Sequence, residues 1–221
     1  MALGEATKVI EYIEKSEKEY FFRMKFGQAS DTLDLEGELE IFEERMPSAE
    51  ELLAILPGFF GVGEQLPPAY SALKVGGVRA YKLARAGKEI EFKPRRIKIF
   101  ELSLVEDLGE GEFELKVRAE SGFYVRSLVR DLAEKLGLHA VTTMIRRTMS
   151  GAFSIGDAIL LEKAAEILHN EEESQAMGLL PLDFCLDDIP AVSISCDQAK
   201  CLKNGGQVKG FTDETEPLTR V

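Results

Sequence analysis

The chain has 221 residues, 45% of them hydrophobic and 30% charged, a balance that excludes a disordered chain and allows one sizeable core with a small second unit. Lys and Arg number 27 against 39 Asp and Glu, and the net charge of −12 argues against a surface that attracts a polyanion everywhere. No apolar run approaches the roughly 18 to 20 residues that span a bilayer, and Met1-Ala2-Leu3-Gly4-Glu5 lacks the basic and apolar regions of a secretion signal, so no membrane association and a cytoplasmic location are expected.

Glu5 to Glu14 reads as a first helix, opened abruptly after four loop-like residues. In Tyr20-Phe21-Phe22-Arg23-Met24-Lys25-Phe26 the apolar Phe22, Met24 and Phe26 alternate with Arg23 and Lys25, which predicts a half-buried strand ended by Gly27. Ser30 to Gly37 is a polar loop. Ser48-Ala49-Glu50-Glu51 has the form of a capping box opening a helix that Pro57-Gly58 closes, with Leu52, Leu53 and Leu56 expected against a sheet.

Beyond Pro67-Pro68, the Gly76-Gly77 pair between valines predicts a tight turn, followed by a short helix through Tyr81 and Leu83 that stops at Gly87. Ile97 to Val105 and Phe113 to Ala119 read as paired strands joined across Gly109-Glu110-Gly111. Ser121-Gly122 then turns the chain into an amphipathic helix carrying Val125, Leu128, Val129, Leu132 and Leu136, closed by Gly137. Ile145 to Thr148 reads as a loop after that helix. Two short helices are expected at Leu161 to Leu168 and Glu173 to Leu179, and a strand at Pro190 to Ser195. Together these elements predict an α+β fold, a mainly antiparallel mixed sheet flanked by helices.

The charge is uneven. Between Lys74 and Lys98 stand nine basic residues and two acidic ones, a cluster of the kind that meets phosphates while acidic surface elsewhere orients the partner. A solvated charged face is an equally ordinary origin for such a run taken alone. Cys185, Cys196 and Cys201, with His139 and His169, lack the paired spacing of a zinc site, so no metal is expected and the cysteines read as reduced packing residues.

Five ordered segments resemble the TruB-type pseudouridine synthases: Ala2 to Lys8; Asp31-Thr32-Leu33-Asp34 with Gly37; Pro67-Pro68-Ala69-Tyr70-Ser71-Ala72-Leu73-Lys74; Gly122-Phe123-Tyr124-Val125-Arg126-Ser127-Leu128; and Ile145-Arg146-Arg147-Thr148. The resemblance implies an isomerase that converts a uridine of the transfer-RNA T arm, position 55, to pseudouridine. It also implies a pseudouridine synthase-like domain over residues 1–188, a thumb-like RNA-gripping insertion at about 67–96, and from 189 to 221 the start of an incomplete, PUA-like RNA-binding β unit.

Such chemistry requires the base to leave the stack. By family resemblance Tyr20 replaces its lost neighbours, Tyr124 adds a pocket hydrogen bond, Ile145 forms an apolar wall, and Arg126 pairs with the nucleophilic aspartate. Asp34 and Tyr70 would help seat the RNA, and Lys74, Arg79, Lys82 and Arg85 would grip phosphates, with Arg146 and Arg147 extending that surface. No cofactor is implied, transfer RNA is the expected partner, and a monomer is expected.

The departure is the nucleophile. The family carries it in Gly-x-Leu-Asp-Pro, and the Leu-Asp pairs here, Leu33-Asp34, Leu182-Asp183 and Leu186-Asp187, are not followed by Pro. The chain is expected to begin just after that segment, to be inactive as given, and to be completed by a missing N-terminal piece. A noncatalytic RNA-binding or RNA-folding protein on the same scaffold would also explain the missing aspartate, and a guide-dependent ribosomal-RNA synthase is a third reading.

Overall fold

A computed structural model describes residues 2–14, 16–88, 92–169, 180–186, 189 and 194–208. The alternation around Tyr20 forms β1 (Lys18–Phe26), whose Phe22, Met24 and Phe26 are at most 1% exposed. It lies between β8 (Glu112–Ala119), which buries Phe113, Leu115, Val117 and Ala119, and β9 (Ala140–Ser150). β7 (Arg95–Gly109) pairs with β8 and, on its other side, with β4 (Gly61–Gln65). Short β10 (Phe153–Ser154) completes a six-stranded sheet in the order β10-β9-β1-β8-β7-β4, every neighbouring pair antiparallel. This is the α+β architecture expected from the sequence. Ile145 to Thr148, expected in a loop, lies inside β9, where the chain pairs with nearly the whole length of β1 and takes up its backbone hydrogen bonds.

Two helices cover the apolar face of the sheet. α4 (Val125–Leu136) contributes Val125, Leu128, Val129 and Leu132, each at most 5% exposed, because i, i+3, i+4, i+7 spacing gathers them in one stripe. α2 (Ala49–Ile55) opens with a true capping box: the Ser48 hydroxyl accepts from the Glu51 amide, and the Glu51 carboxylate accepts from the Ser48 amide. Leu52 and Leu56 are buried, but Leu53 is 49% exposed, because a residue one step from the stripe turns about 100° away from it.

Two small elements complete this unit. β2 (Gln28–Ser30) pairs with β3 (Leu39–Ile41), and β5 (Lys74–Val75) pairs with β6 (Val78–Arg79) ahead of α3 (Ala80–Arg85). The β5–β6 hairpin turns on Gly76 and Gly77 with φ of 58° and 84°, the two positive values that a tight hairpin turn demands.

Residues 15–158 form this compact unit, and residues 1–14 with 159–221 form another. The second contains a 3-10 turn at Gly4–Val9 leading into α1 (Ile10–Glu14), then α5 (Leu161–His169), a 3-10 turn at Leu182–Cys185 and α6 (Cys196–Lys203). The expected first helix is thus half 3-10, since Leu3 offers no side-chain oxygen to the opening amide groups. Cys196 and Cys201 are exposed rather than packed; they fall on a short helix whose residues are all at least partly exposed. The helix expected at Glu173 to Leu179 lies outside the described residues, as does the strand expected from Pro190 except for Ile194 and Ser195, the latter capping α6. Among the described residues no helix is long and apolar enough to cross a membrane.

The inside–outside difference within α2 is testable by urea denaturation. Leu52→Ala should cost about 2–5 kcal/mol, whereas Leu53→Ala should stay within about 0.5 kcal/mol of the parent.

Candidate active site

Arg126 is the second residue of α4, and its neighbours Val125 and Leu128 face the core, so its side chain leaves along the flank of the helix. A cation so near a helix N-terminus is electrostatically disfavoured, and the surroundings supply compensation. Arg126 Nη1 donates to Asp34 Oδ2 at 2.8 Å and to the Thr32 carbonyl at 2.8 Å, while Nη2 donates to the Tyr70 carbonyl at 2.8 Å. The Arg126 and Asp34 side chains are 21% and 22% exposed, so the pair is well shielded from water.

The loop bearing Asp34 is built around that carboxylate. Asp34 Oδ1 accepts from Thr32 Oγ1 at 2.6 Å and from the Glu36 amide at 3.0 Å, leaving Oδ2 for Arg126. Leu33 takes a left-handed φ of 63°, which costs a non-glycine residue about 1–2 kcal/mol; its carbonyl accepts from the Thr142 amide of β9, which pins the loop to the sheet. A Cβ on Gly37 would collide with the Asp31 carboxylate and come within 2.6 Å of Thr32 Oγ1, so a larger residue there would have to displace those two side chains.

Between this loop, the β5–β6–α3 insertion and the start of α4 lies an open cavity of about 640 Å³. It is lined by Asp31, Glu36 and Glu38 of the loop, by Tyr70, Tyr81 and Arg85, and by Tyr124 and Arg126. The Arg85 guanidinium sits 5.7 Å from the Tyr81 ring centroid. A hydrogen bond to Asp31, with burial and the charge of Asp31 adding to it, pushes the Tyr70 phenol above its ordinary range. Ser71, 5% exposed, also lines the cavity, and its hydroxyl has no hydrogen-bond partner among the described residues.

The residues singled out in the sequence divide into four groups. Tyr70, Arg85, Tyr124 and Arg126 line the cavity, and Asp34 holds Arg126 beside it. Tyr20 and Ile145 do not line it: Tyr20 packs against the core, and Ile145, although the cross-strand partner of buried Phe22, is 45% exposed. Lys74, Arg79 and Lys82 are exposed on the insertion. Arg146 and Arg147 pair with Phe21 and Tyr20, so strand alternation sends them to opposite faces.

Sequence reading passed over Asp31, Thr32, Tyr81 and Gln65. Asp31 and Thr32 stood inside a quoted motif, a signal that was available. Gln65 had none: it is 4% exposed at the end of an edge strand, and its amide bonds the backbone of Tyr124, 59 residues away. Among the described residues no group of three His, Cys, Asp or Glu side chains is placed to hold a metal ion.

Residues 1–125 match the model of the TruB family pseudouridylate synthase N-terminal domain. The chain is 40% identical over 215 residues to tRNA pseudouridine synthase B of Zymomonas mobilis, covering 97% of this chain and 70% of that enzyme. It is 38% identical over 218 residues to tRNA pseudouridine synthase B of Caulobacter vibrioides, covering 99% and 70%. Among solved structures, a chain of a Cbf5–Nop10–Gar1 complex superposes with a TM-score of 0.68 at 22% identity, over 93% of this chain and 54% of that one. A chain of an H/ACA ribonucleoprotein bound to a substrate RNA containing 2'-deoxyuridine gives 0.66 at 19% identity, over 94% and 53%. The chain therefore spans about half of those solved chains, and at such identities their likeness is one of fold.

The ion pair predicts its own energetics. Asp34→Ala leaves a mostly buried guanidinium without its carboxylate and dissolves the hydrogen bonds that close the loop, so urea denaturation should show a loss of roughly 2–4 kcal/mol.

Proposed function

The chain belongs to the TruB family of pseudouridylate synthases, and we propose that its cavity takes a uridine of the transfer-RNA T arm, position 55, turned out of its stack for isomerisation to pseudouridine. The observation that carries this reading is Arg126. Its guanidinium is fixed at the cavity by bonds that use three of its five N–H groups, so two remain for a second carboxylate. In this reading that carboxylate is the family's nucleophile, received without displacing Asp34. Charge-assisted contacts from Arg126 keep it ionised and aimed at the nucleotide.

In this reading Tyr124 adds a hydrogen bond from the cavity lining, while Tyr20 as the stacking partner and Ile145 as an apolar wall act from the adjoining strands β1 and β9, outside that lining. Tyr70 and Asp34 help seat the RNA. Lys74, Arg79, Lys82 and Arg85 grip phosphates, Arg146 and Arg147 adding to the basic surface, in a contact that positions RNA without reading its sequence. The isomerisation moves one bond within a nucleotide and draws on no metal or organic cofactor. Residues 1–188 are read as the synthase domain and 189–221 as the start of a small RNA-binding unit, in a cytoplasmic monomer.

No aspartate within residues 1–221 stands in a Gly-x-Leu-Asp-Pro segment. That observation also favours a second reading, an RNA-binding or RNA-folding protein without turnover, and one assay separates the two. Residues 1–221 alone should bind a T-arm transcript and form no pseudouridine, measured with tritium release from carbon 5. Supplying a segment with Gly-x-Leu-Asp-Pro, fused or as a peptide, should restore formation if the chain is a synthase and do nothing if it is a binding protein. In the restored enzyme Arg126→Ala should lower the rate by at least about 100-fold, and Arg126→Lys should rescue poorly because an ammonium cannot reproduce the planar fork. Robust turnover by residues 1–221 alone would move the nucleophile elsewhere, with Asp34 the first residue to mutate.

The insertion carries a separate prediction. T-arm affinity should fall steeply with salt, and neutralising Lys74, Arg79 and Lys82 together should flatten the log–log slope by about 2 to 3. An unchanged slope would return the basic run to a solvated face.

A further inference from the structure

Residues 65–70, where β4 ends and the insertion begins, are joined to the start of α4 by hydrogen bonds running in both directions. Ser127 Oγ donates to the Leu66 carbonyl at 2.8 Å, Arg130 Nη2 donates to the same oxygen at 3.0 Å, and Arg126 Nη2 donates to the Tyr70 carbonyl at 2.8 Å. All three run from α4 side chains to the backbone of the insertion root. Gln65 supplies the reverse direction: its Oε1 accepts from the Tyr124 amide at 2.9 Å, and its Nε2 donates to the Tyr124 carbonyl at 3.1 Å.

We infer that Gln65 is a positioning residue, which fixes Tyr124 and through it Arg126 against the cavity by holding both backbone polar groups of Tyr124. The inference rests on the synthase reading above. Tyr124 precedes the first residue of α4 in extended conformation, with φ of −119° and ψ of 116°, and no side chain caps the helix there. Its carbonyl already accepts from the Leu128 amide in the first helical turn, whereas its amide points away from the helix and goes to Gln65. Without Gln65 that amide has to find another acceptor in a region where Phe123 and Val125 on either side are buried. Leaving such a donor unpaired costs about 1–3 kcal/mol, enough to make the turn adopt other conformations. Those conformations displace Tyr124, which lines the cavity, and swing the first turn of α4, which carries Arg126.

A side chain that served only to fill space would be replaceable by an apolar one of the same length. Gln65 has both ends of its amide committed to a single residue, two positions before Arg126, so replacement by Met keeps the volume and removes the function. Glu is informative in another way. As a carboxylate it accepts from the Tyr124 amide but cannot donate to the carbonyl, and as a carboxylic acid it reproduces both bonds.

The test uses residues 1–221 completed by the Gly-x-Leu-Asp-Pro segment, with single-turnover pseudouridine formation at saturating T-arm RNA and RNA affinity measured separately. Gln65→Met should lower the rate by about 10-fold while the RNA Kd changes by less than about 3-fold. Gln65→Glu should be impaired at about pH 8 and, taken as a ratio to the parent at each pH, recover towards pH 6 as burial keeps the new carboxyl protonated. A Gln65→Met enzyme with the parent rate, or one losing RNA affinity alone, would overturn the inference. Should Gln65→Met fail to fold, the pH ratio of Gln65→Glu decides, a flat ratio counting against it. Should the completed parent form no pseudouridine, the synthase reading fails on its own; amide exchange at Tyr124 in residues 1–221 then judges the positioning role, which requires faster exchange in Gln65→Met than in the parent.

Discussion

An arginine held at a helix N-terminus and largely out of water is the constraint around which this site is organised. The macrodipole of α4 opposes a cation at its second residue, and partial burial adds a desolvation cost. Both are offset only if a carboxylate and several carbonyl oxygens are brought to the guanidinium. Asp34, Thr32 and Tyr70 do so from two separate segments, each with its own fastening: a loop tied to β9 through Leu33, and a root tied to α4 through Gln65, Ser127 and Arg130. The left-handed Leu33 is a local cost accepted so that the Asp34 carboxylate can split its two oxygens between its own loop and Arg126.

Charge is distributed with the same economy of position. The chain is acidic as a whole, yet the exposed surface of the insertion carries Lys74, Arg79, Lys82 and Arg85. The lining of the neighbouring cavity includes Asp31, Glu36 and Glu38 together with Arg85 and Arg126. For a polyanionic partner, exposed cations of this kind attract phosphates to the insertion, where screening by salt weakens them.

Periodicity made most of the fold legible. Phe22, Met24 and Phe26, the alternation from Phe113 to Ala119, and the stripe from Val125 to Leu132 each state their own secondary structure and buried side. The capping box at Ser48 and the glycine pair at Gly76 are equally local. Leu53 was misplaced because three leucines near one another do not reveal which of them lies off the stripe. Ile145 to Thr148 was misplaced because two arginines interrupt an apolar pattern although the strand continues through them, its pairing supplied by β1. The site was legible only where motifs stood intact. The partner of Arg126 lies 92 residues away and that of Tyr124 lies 59 away, and such side-chain contacts leave no period in the sequence.

The seam between residues 65–70 and α4 limits where the insertion can move. Pro67 and Pro68 are buried and conformationally stiff, and the carbonyls of Leu66 and Tyr70 are held on either side of them, so this stretch travels with α4. Past Tyr70 the bonding changes allegiance. The Ser71 carbonyl accepts from the Tyr81 amide and the Leu73 carbonyl from the Ala80 amide, which ties Ser71 onward to α3. A short turn bond, from the Ser71 amide to the Ala69 carbonyl, spans the passage from the stretch held by α4 to the part held by α3.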